Sequence, residues 1–518
     1  MFIINALHRA AQIHGDRIAS VHQGRSWTWA QVLDRVARLG SVLRAYDVKP
    51  GDRVAVIGWN TDRYLEAVLA VSWIGAVVVP LNTRLALPEV AYQVHNAGAA
   101  LLIFDPEFAG LSDILCEANL AMRRITLSST PARPDALATD NLIALSQPGT
   151  NANPGPGDLM GIFYTGGTTG LPKGVMTTHA NIAQQITCHM MDLGWTPATR
   201  YLHVLPMFHL GGLTAAYCLL SLAGCQHYME KFDVSDFVER LASERITAAA
   251  LSPVSIGWLL DSPRMATLDF SALHQLGYGT APITEAVLRK AMERLPRVQF
   301  TQIYGQTEIT GTISVLRPED HKLDGANAAR LRSAGRASWG VHIRVVNDAG
   351  HDVPSYELGE IVARSPGMTQ GYWQDQAQSA TALRNGWLHT GDIGYLDADG
   401  YLFVVDRKKD MIVTGGENVF SSEVENAIAT IPGVAQVAVI GIPSDVWGEA
   451  VHAVVVQAHD ATLTAENIIN HCRTLIAGYK CPKTVEVRTT PLPLSGVNKI
   501  QKHVLRETFW RDKSRRVN

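Results

Sequence analysis

The chain has 518 residues, 47% hydrophobic and 18% charged, so it can build a large core and is not a disordered protein. Its length calls for two or three domains rather than one. Lys+Arg 45 against Asp+Glu 48 leaves a net charge of −3, which gives no basic footprint for nucleic acid but allows a local anion site.

The opening MFIINALHRAAQIHGDR reads as an amphipathic helix, not a signal peptide. Thr28 and Gln31 make a capping box for a helix to about Tyr46. After the turn Pro50-Gly51-Asp52 come a strand over Arg53–Trp59, a helix capped by Asn60 and reaching Ile74, a strand ending at Asn82, a helix over Pro88–Asn96 and the strand AALLIFD. The longest apolar run, Ala67–Pro80, has about fourteen residues, short of the ~20 that span a bilayer, so no transmembrane segment is expected. Apolar strands alternating with helices predict a parallel sheet covered on both faces, with ligands at the loops beyond the strand C-termini. Residues 127–157, rich in Ser, Thr, Pro, Asn and Gly, predict an irregular surface connection.

A strand-like run, Leu159–Tyr164, leads into YTGGTTGLPKGVM (164–176). Its glycines allow backbone N–H groups to close on phosphate oxygens, its threonines add donors and Lys173 adds a point charge. It is not the P-loop pattern, because Pro172 precedes Lys173 and Gly174 follows it. A pliable phosphate-gripping loop is expected, a surface linker being the alternative. Helix and strand alternate again from Ala180 to about Val315, and short strands with D-A-G and D-A-D-G turns from Gly335 to Val405 predict a β-rich subdomain. The charges of Asp406–Lys409 beside a glycine pair mark a boundary near Lys409, followed by a small α+β domain. The fold class is therefore α/β: a large N-terminal domain (1–408) of mostly parallel helix-covered sheets plus a β-rich subdomain, and a small C-terminal domain (409–518). Six cysteines without a C-x-x-C pair suggest neither zinc nor disulfides, and fit a reduced, cytoplasmic setting.

The glycine-rich stretch, PMFHLGG (206–212), GYGTAPIT (277–284), YGQTE (304–308), GWLHTGD (386–392), the DRKKD…GGEN segment and a lysine in SGVNKIQKHVLR follow one another in order. Together they resemble the acyl-adenylate-forming superfamily of acyl-CoA synthetases, adenylation domains and luciferases, over nearly the whole chain. The resemblance implies that a carboxylate attacks the α-phosphate of Mg·ATP, and that a thiol, usually coenzyme A, then displaces AMP. It implies a β,γ-phosphate grip made by Thr165, Gly166, Gly167, Thr168, Thr169, Gly170 and Lys173. Gly279, Thr280, Ala281 and Pro282 would wall the adenine, with Tyr304 flanking it ahead of Gly305 and Gln306. Thr307 would hold the α-phosphate, Glu308 the Mg2+, and Asp392 and Arg407 the ribose. Lys499 would bridge carboxylate and α-phosphate; the family usually has glycine before this lysine, where this chain has Asn498. The C-terminal domain would be mobile, rotating at Lys409 to bring Gly415, Gly416 and Glu417 to the coenzyme A path, with His209 as gate.

The acyl pocket would be lined by Phe208, Gly211, Val254, Gly277 and Tyr278, with Gly211, Gly212, Gly277 and Gly279 leaving room and no charge apart from Glu308 and His209. An apolar acid is thus expected, medium- to long-chain fatty acids favoured over aryl acids such as hydroxycinnamates. A separate carrier protein is the alternative acceptor, and a non-catalytic nucleotide- or acyl-binding protein the alternative class. The sequence is compatible with a homodimer without deciding it.

Overall fold

The computed structural model describes residues 3–511 apart from 119–121, 167–170, 267–268, 282, 326, 459–460 and 496–498. Gly167, Thr168, Thr169, Gly170, Pro282 and Asn498, all singled out above, lie outside the described residues.

Two sheets form the body. The first, in spatial order, is Arg123–Thr126, Ala99–Phe104, Arg53–Ile57, Val77–Pro80, Leu159–Thr165 and Lys173–Thr178. All its neighbours are parallel except the last pair, a hairpin that sets Thr165 opposite Lys173. The second has nine strands. Its six central ones, Ile18–His22, Cys225–Tyr228, Arg200–His203, Ala248–Leu251, Gln275–Gly279 and Gln299–Tyr304, are parallel, and antiparallel partners close both edges. In the first sheet, Val77–Pro80 is a short apolar run because it is buried on both faces. The main core joins helices Ile3–His14, Trp29–Ala45, Asp62–Trp73 and Leu210–Leu222. Thr28 and Gln31 make the expected capping box.

Two local expectations fail, and one hairpin was not foreseen. Asn60 is not the cap of its helix: Thr61 is, accepting from the Tyr64 N–H (3.0 Å). The buried Asn60 amide instead accepts from the Met207 N–H (2.8 Å) and donates to the carbonyls of His203 (3.2 Å) and Leu205 (3.1 Å), stapling the strand ends of the two sheets. The stretch 127–157 is not irregular throughout, since Thr139–Leu145 is helical, anchored by Arg35 and Arg63 on Asp140. The hairpin Ile18–His22 with Arg25–Thr28 carried no recognised turn signal.

A third, antiparallel sheet (His342–Val346, Gly359–Arg364, Leu383–Arg384, Trp387–Leu396, Leu402–Arg407) is the β-rich part. A fourth starts at Ile412, runs to Thr484–Arg488 and has its own core with helices Ser421–Ala429 and Ala465–Leu475. Among the described residues no helix is long and apolar enough to cross a membrane.

Candidate active site

Strand Gln299–Tyr304 ends beside strand Trp387–Leu396, and a polar cluster forms where they meet. Tyr304 Oη donates to Asp392 Oδ2 (2.7 Å), and Gln306 Nε2 donates to the same oxygen (3.2 Å) and to the Thr390 carbonyl (2.8 Å). Arg407, opposite Asp392 in the strand register, brings Nε to 3.5 Å from Oδ1. Burial, reinforced by the Asp392 charge, pushes the Tyr304 phenol far up, so it stays a donor. A nearly buried carboxylate with a half-exposed guanidinium suits vicinal hydroxyls, which can donate to one and accept from the other.

Glu308 follows in the 3-10 turn Thr307–Ile309. Its Oε1 accepts from Tyr372 Oη (2.9 Å), and Lys173 Nζ stands 5.1 Å from the centre of the Tyr372 ring. Burial first and Glu308 second keep that phenol protonated. Thus a cation and a carboxylate from distant segments share one tyrosine, which sequence reasoning missed. Tyr372 is held there by a bridge to Val175, while Trp373 N–H bonds the Gly174 carbonyl (2.7 Å). The signal was only the dipeptide Tyr372-Trp373 after a glycine, which no motif connects to residue 308.

Lys499 comes to the same cluster from the C-terminal domain. Burial, then the nearby Arg407, lowers its ammonium from 10.5 to about 8, with Asp392 and Asp410 partly offsetting. It forms no ion pair among the described residues, which leaves a partly buried cation near Arg407 and Asp392. Its loop closes through Ser495 N–H to the Lys499 carbonyl (2.7 Å), and Arg84 Nη1 donates across the domains to the Ser495 carbonyl (3.2 Å). Arg84, too, escaped sequence reasoning.

His209 precedes helix Leu210–Leu222, its ring against Phe208 (4.6 Å). Burial, then the nearby Arg84 charge, lowers it to about 4, so it is neutral at pH 7. A small pocket of about 30 Å³ lies between the sheets, lined among others by Trp59, Phe208, Phe232, Ser252 and Ser255. It carries two charges that the expected lining lacked, Arg84 and Glu230. Val254 is beside it without lining it.

Tyr278 corrects the pocket expectation. It is 2% exposed, in the core with Leu276, Leu288 and Phe300, and its hydroxyl is 2.9 Å from His321 Nε2. Strand alternation turns Gly277 and Gly279 to the opposite face. Nor do all four glycines leave room. A Cβ on Gly279 would stand 2.4 Å from the Ile303 carbonyl oxygen, and one on Gly212 2.3 Å from that of Pro206, so backbone fills both places. At Gly277 the nearest atom would be Ala250 Cβ at 3.3 Å, and at Gly211 nothing lies within 4 Å.

Two further expected residues lie in the C-terminal sheet. Gly415 and Gly416 form the turn between Ile412–Thr414 and Glu417–Val419, where Gly415 packs on Trp447 of the same sheet. Lys409 is exposed between the third and fourth sheets, its carbonyl held by Arg506 Nη1 (3.0 Å). Thr280 adopts φ 68° beyond Gly279, directing the segment that includes Ala281. Gly305 is required: a Cβ there would stand 1.6 Å from the Gly311 carbonyl oxygen.

Among the described residues no three His, Cys, Asp or Glu are grouped to hold a metal by themselves. A hard cation would fit here only as Glu308 plus substrate phosphate oxygens, a combination suited to magnesium.

Comparison with known proteins finds relatives along nearly the whole chain. A family model described as AMP-binding enzyme matches residues 7–373, and one for the AMP-binding enzyme C-terminal domain matches 423–499. A feruloyl-CoA synthase of Amycolatopsis sp is 37% identical over 97% of this chain and 98% of its own. A medium/long-chain-fatty-acid–CoA ligase of Mycobacterium tuberculosis is 33% identical over 95% and 87%. The structure of ATP-bound MatB from Rhodopseudomonas palustris superposes with TM-score 0.88 at 29% identity, covering 99% of this chain and all of that one.

Proposed function

Because the chain belongs to the AMP-binding enzyme family, we propose that it is an ATP-dependent acid–CoA ligase that activates an apolar carboxylic acid as acyl-AMP and transfers the acyl group to coenzyme A. The observation that carries this reading is the convergence of Lys173, Glu308, Asp392 and Lys499, four charged groups from four segments, on one cleft.

A carboxylate will not accept a thiol, because oxide is too poor a leaving group. Attack of the acid oxygen on the α-phosphorus expels pyrophosphate and leaves a mixed anhydride. The thiol sulfur then attacks its carbonyl, loses its proton, and AMP departs with the electron pair. Charge accumulates on phosphorus oxygens, so positioned donors and cations supply most of the catalysis and no side-chain nucleophile is required. Asp392 and Arg407 orient the ribose, with Tyr304 and Gln306 fixing the Asp392 rotamer. Thr307 reaches the α-phosphate and Lys173 the outer phosphates. Magnesium, carried in on the phosphates and met by Glu308, would supply Lewis-acid charge neutralisation. Lys499 holds the attacking carboxylate against the α-phosphate. His209, a neutral aromatic near Arg84, gates the thiol's approach. Gly415–Glu417 joins that path after rotation at Lys409. The six free cysteines fit a cytoplasmic enzyme.

Support for the acyl group is divided: the relatives' names include an aryl and a fatty acid, and a fatty acid is the sequence-based preference. The test is product analysis with Mg·ATP, coenzyme A and a panel of acids. Acid-dependent AMP with matching acyl-CoA is expected. ADP in place of AMP sinks the mechanism, and AMP without acyl-CoA moves the acceptor to a carrier protein.

A further inference from the structure

The face of the nine-stranded sheet under helix Leu210–Leu222 has a depth that its strand register measures. Tyr201, Ala248 and Gln275 lie side by side in one row. Two residues further along, Ala250, Gly277 and Thr301 make the next row, and Gly279 and Ile303 the last. The alternate residues, including Ala249, Leu276, Tyr278 and Phe300, point into a separate core. Ala215 and Leu219 of the helix pack against Tyr201 and Ala248.

Exposure differs at two positions of the second row, while Thr301 beside them and Gly279 in the last row are buried. Ala250 and Gly277 are partly exposed although they sit in the middle of a covered sheet. Tyr201, Ala248 and Gln275 are 2%, 3% and 8% exposed. A narrow slot therefore reaches Ala250 and Gly277, with buried Thr301 closing its side, and stops at the first row. Its walls are flat: Ala250 and Gly277 on the sheet, and Gly211 and Ala215, one helical turn apart, on the helix. Its floor is braced. Trp195 Nε1 donates to Gln275 Oε1 (2.5 Å), Gln275 Nε2 donates to Thr301 Oγ1 (3.1 Å) and the Leu193 carbonyl (3.2 Å), and the Trp195 and Tyr201 rings are 5.0 Å apart. Four residue steps from Gly279 to Gln275 give a depth of roughly 13 Å at ~3.3 Å per residue.

Resting on the ligase reading, we propose that this slot is a ruler: it takes a planar, single-ring acid with a short spacer to the carboxylate and refuses an extended long-chain acid, and Trp195 with Gln275 sets the stop. A flat ring fills a slot between walls that lack side chains beyond Cβ, whereas a long chain would have to displace a hydrogen-bonded floor.

Binding and turnover, measured separately, test this. Arylpropenoic and arylacetic acids, octanoate and palmitate are titrated into the full-length protein by calorimetry, and AMP release is followed with the same set. Ring acids are expected to bind at least tenfold more tightly than palmitate and to lead in kcat/KM. Trp195→Ala should raise palmitate relative to ring acids at least tenfold, and Ala250→Leu should weaken ring acids at least tenfold. Should Trp195→Ala fail to fold, Gln275→Ala opens the same floor. Equal binding of palmitate by the unaltered protein overturns the ruler even if the ligase reading holds. The binding order without any AMP supports the ruler and fails the ligase reading instead.

Discussion

Lys499 shows how much one buried charge decides. With its ammonium lowered to about 8, the cation is present at pH 7 and is lost as pH rises through that value. Adenylation should accordingly fall on the alkaline side, with a midpoint at or above 8, bound phosphate pushing it upward. Lys499→Arg should move the fall out of the measurable range. Lys499→Ala should slow adenylation by about 10²–10³, in line with loss of one oxyanion donor, while supplied acyl-adenylate still reacts with coenzyme A. Equal loss in both half-reactions would contradict the assigned role. At Glu308, the Tyr372 hydroxyl fixes one carboxylate oxygen. Tyr372→Phe should raise the magnesium needed for half-maximal rate severalfold, by analogy with a charge-assisted hydrogen bond of ~1.5–3 kcal/mol; an unchanged magnesium titration would separate Tyr372 from the metal. Residues inside a contiguous motif, such as Glu308 and Asp392, were legible in the sequence. Tyr372 and Arg84 were not, since each acts through a contact with a segment far along the chain.

Among the elements, the turn from strand Gln299–Tyr304 to Thr307–Ile309 admits least change. Gly305→Ala would drive a methyl into the Gly311 carbonyl, so this variant should lose several kcal/mol of stability or fail to fold, as overpacking against fixed backbone does; a normal melting temperature would show that the turn can relax. Strand and helix order were legible because apolar runs and caps such as Thr28–Gln31 leave a local pattern. Asn60 shows where local pattern misleads. It sits one position before the true cap and has the right chemistry, yet its amide is taken by backbone groups near residue 205. Likewise, period-2 alternation could have sent Tyr278 and Gly277 to opposite faces, but which face is core depends on neighbouring strands.

Across the molecule, the two proposed steps would share one cleft, to which the C-terminal domain would present Lys499. Arg84 holds the lysine loop by the Ser495 carbonyl. Arg84→Ala should therefore weaken adenylation at least threefold in kcat; a change confined to coenzyme A KM would place the residue only on the thiol route. Lys409→Pro should hurt thiolation more than adenylation if the chain turns there. The burial that weakens the Lys499 ammonium has a further consequence. With pyrophosphate still beside the α-phosphate, the cleft neutralises that charge more fully; once pyrophosphate leaves, only the single charge of the adenylate faces a poorly solvated cation near Arg407 and Lys409. Departure of the first product would then act as an escapement, releasing the lysine loop and letting the second stroke begin. Added pyrophosphate should delay thiol transfer in the unaltered protein more than in Lys499→Met, and equal delay in both would stop that clock.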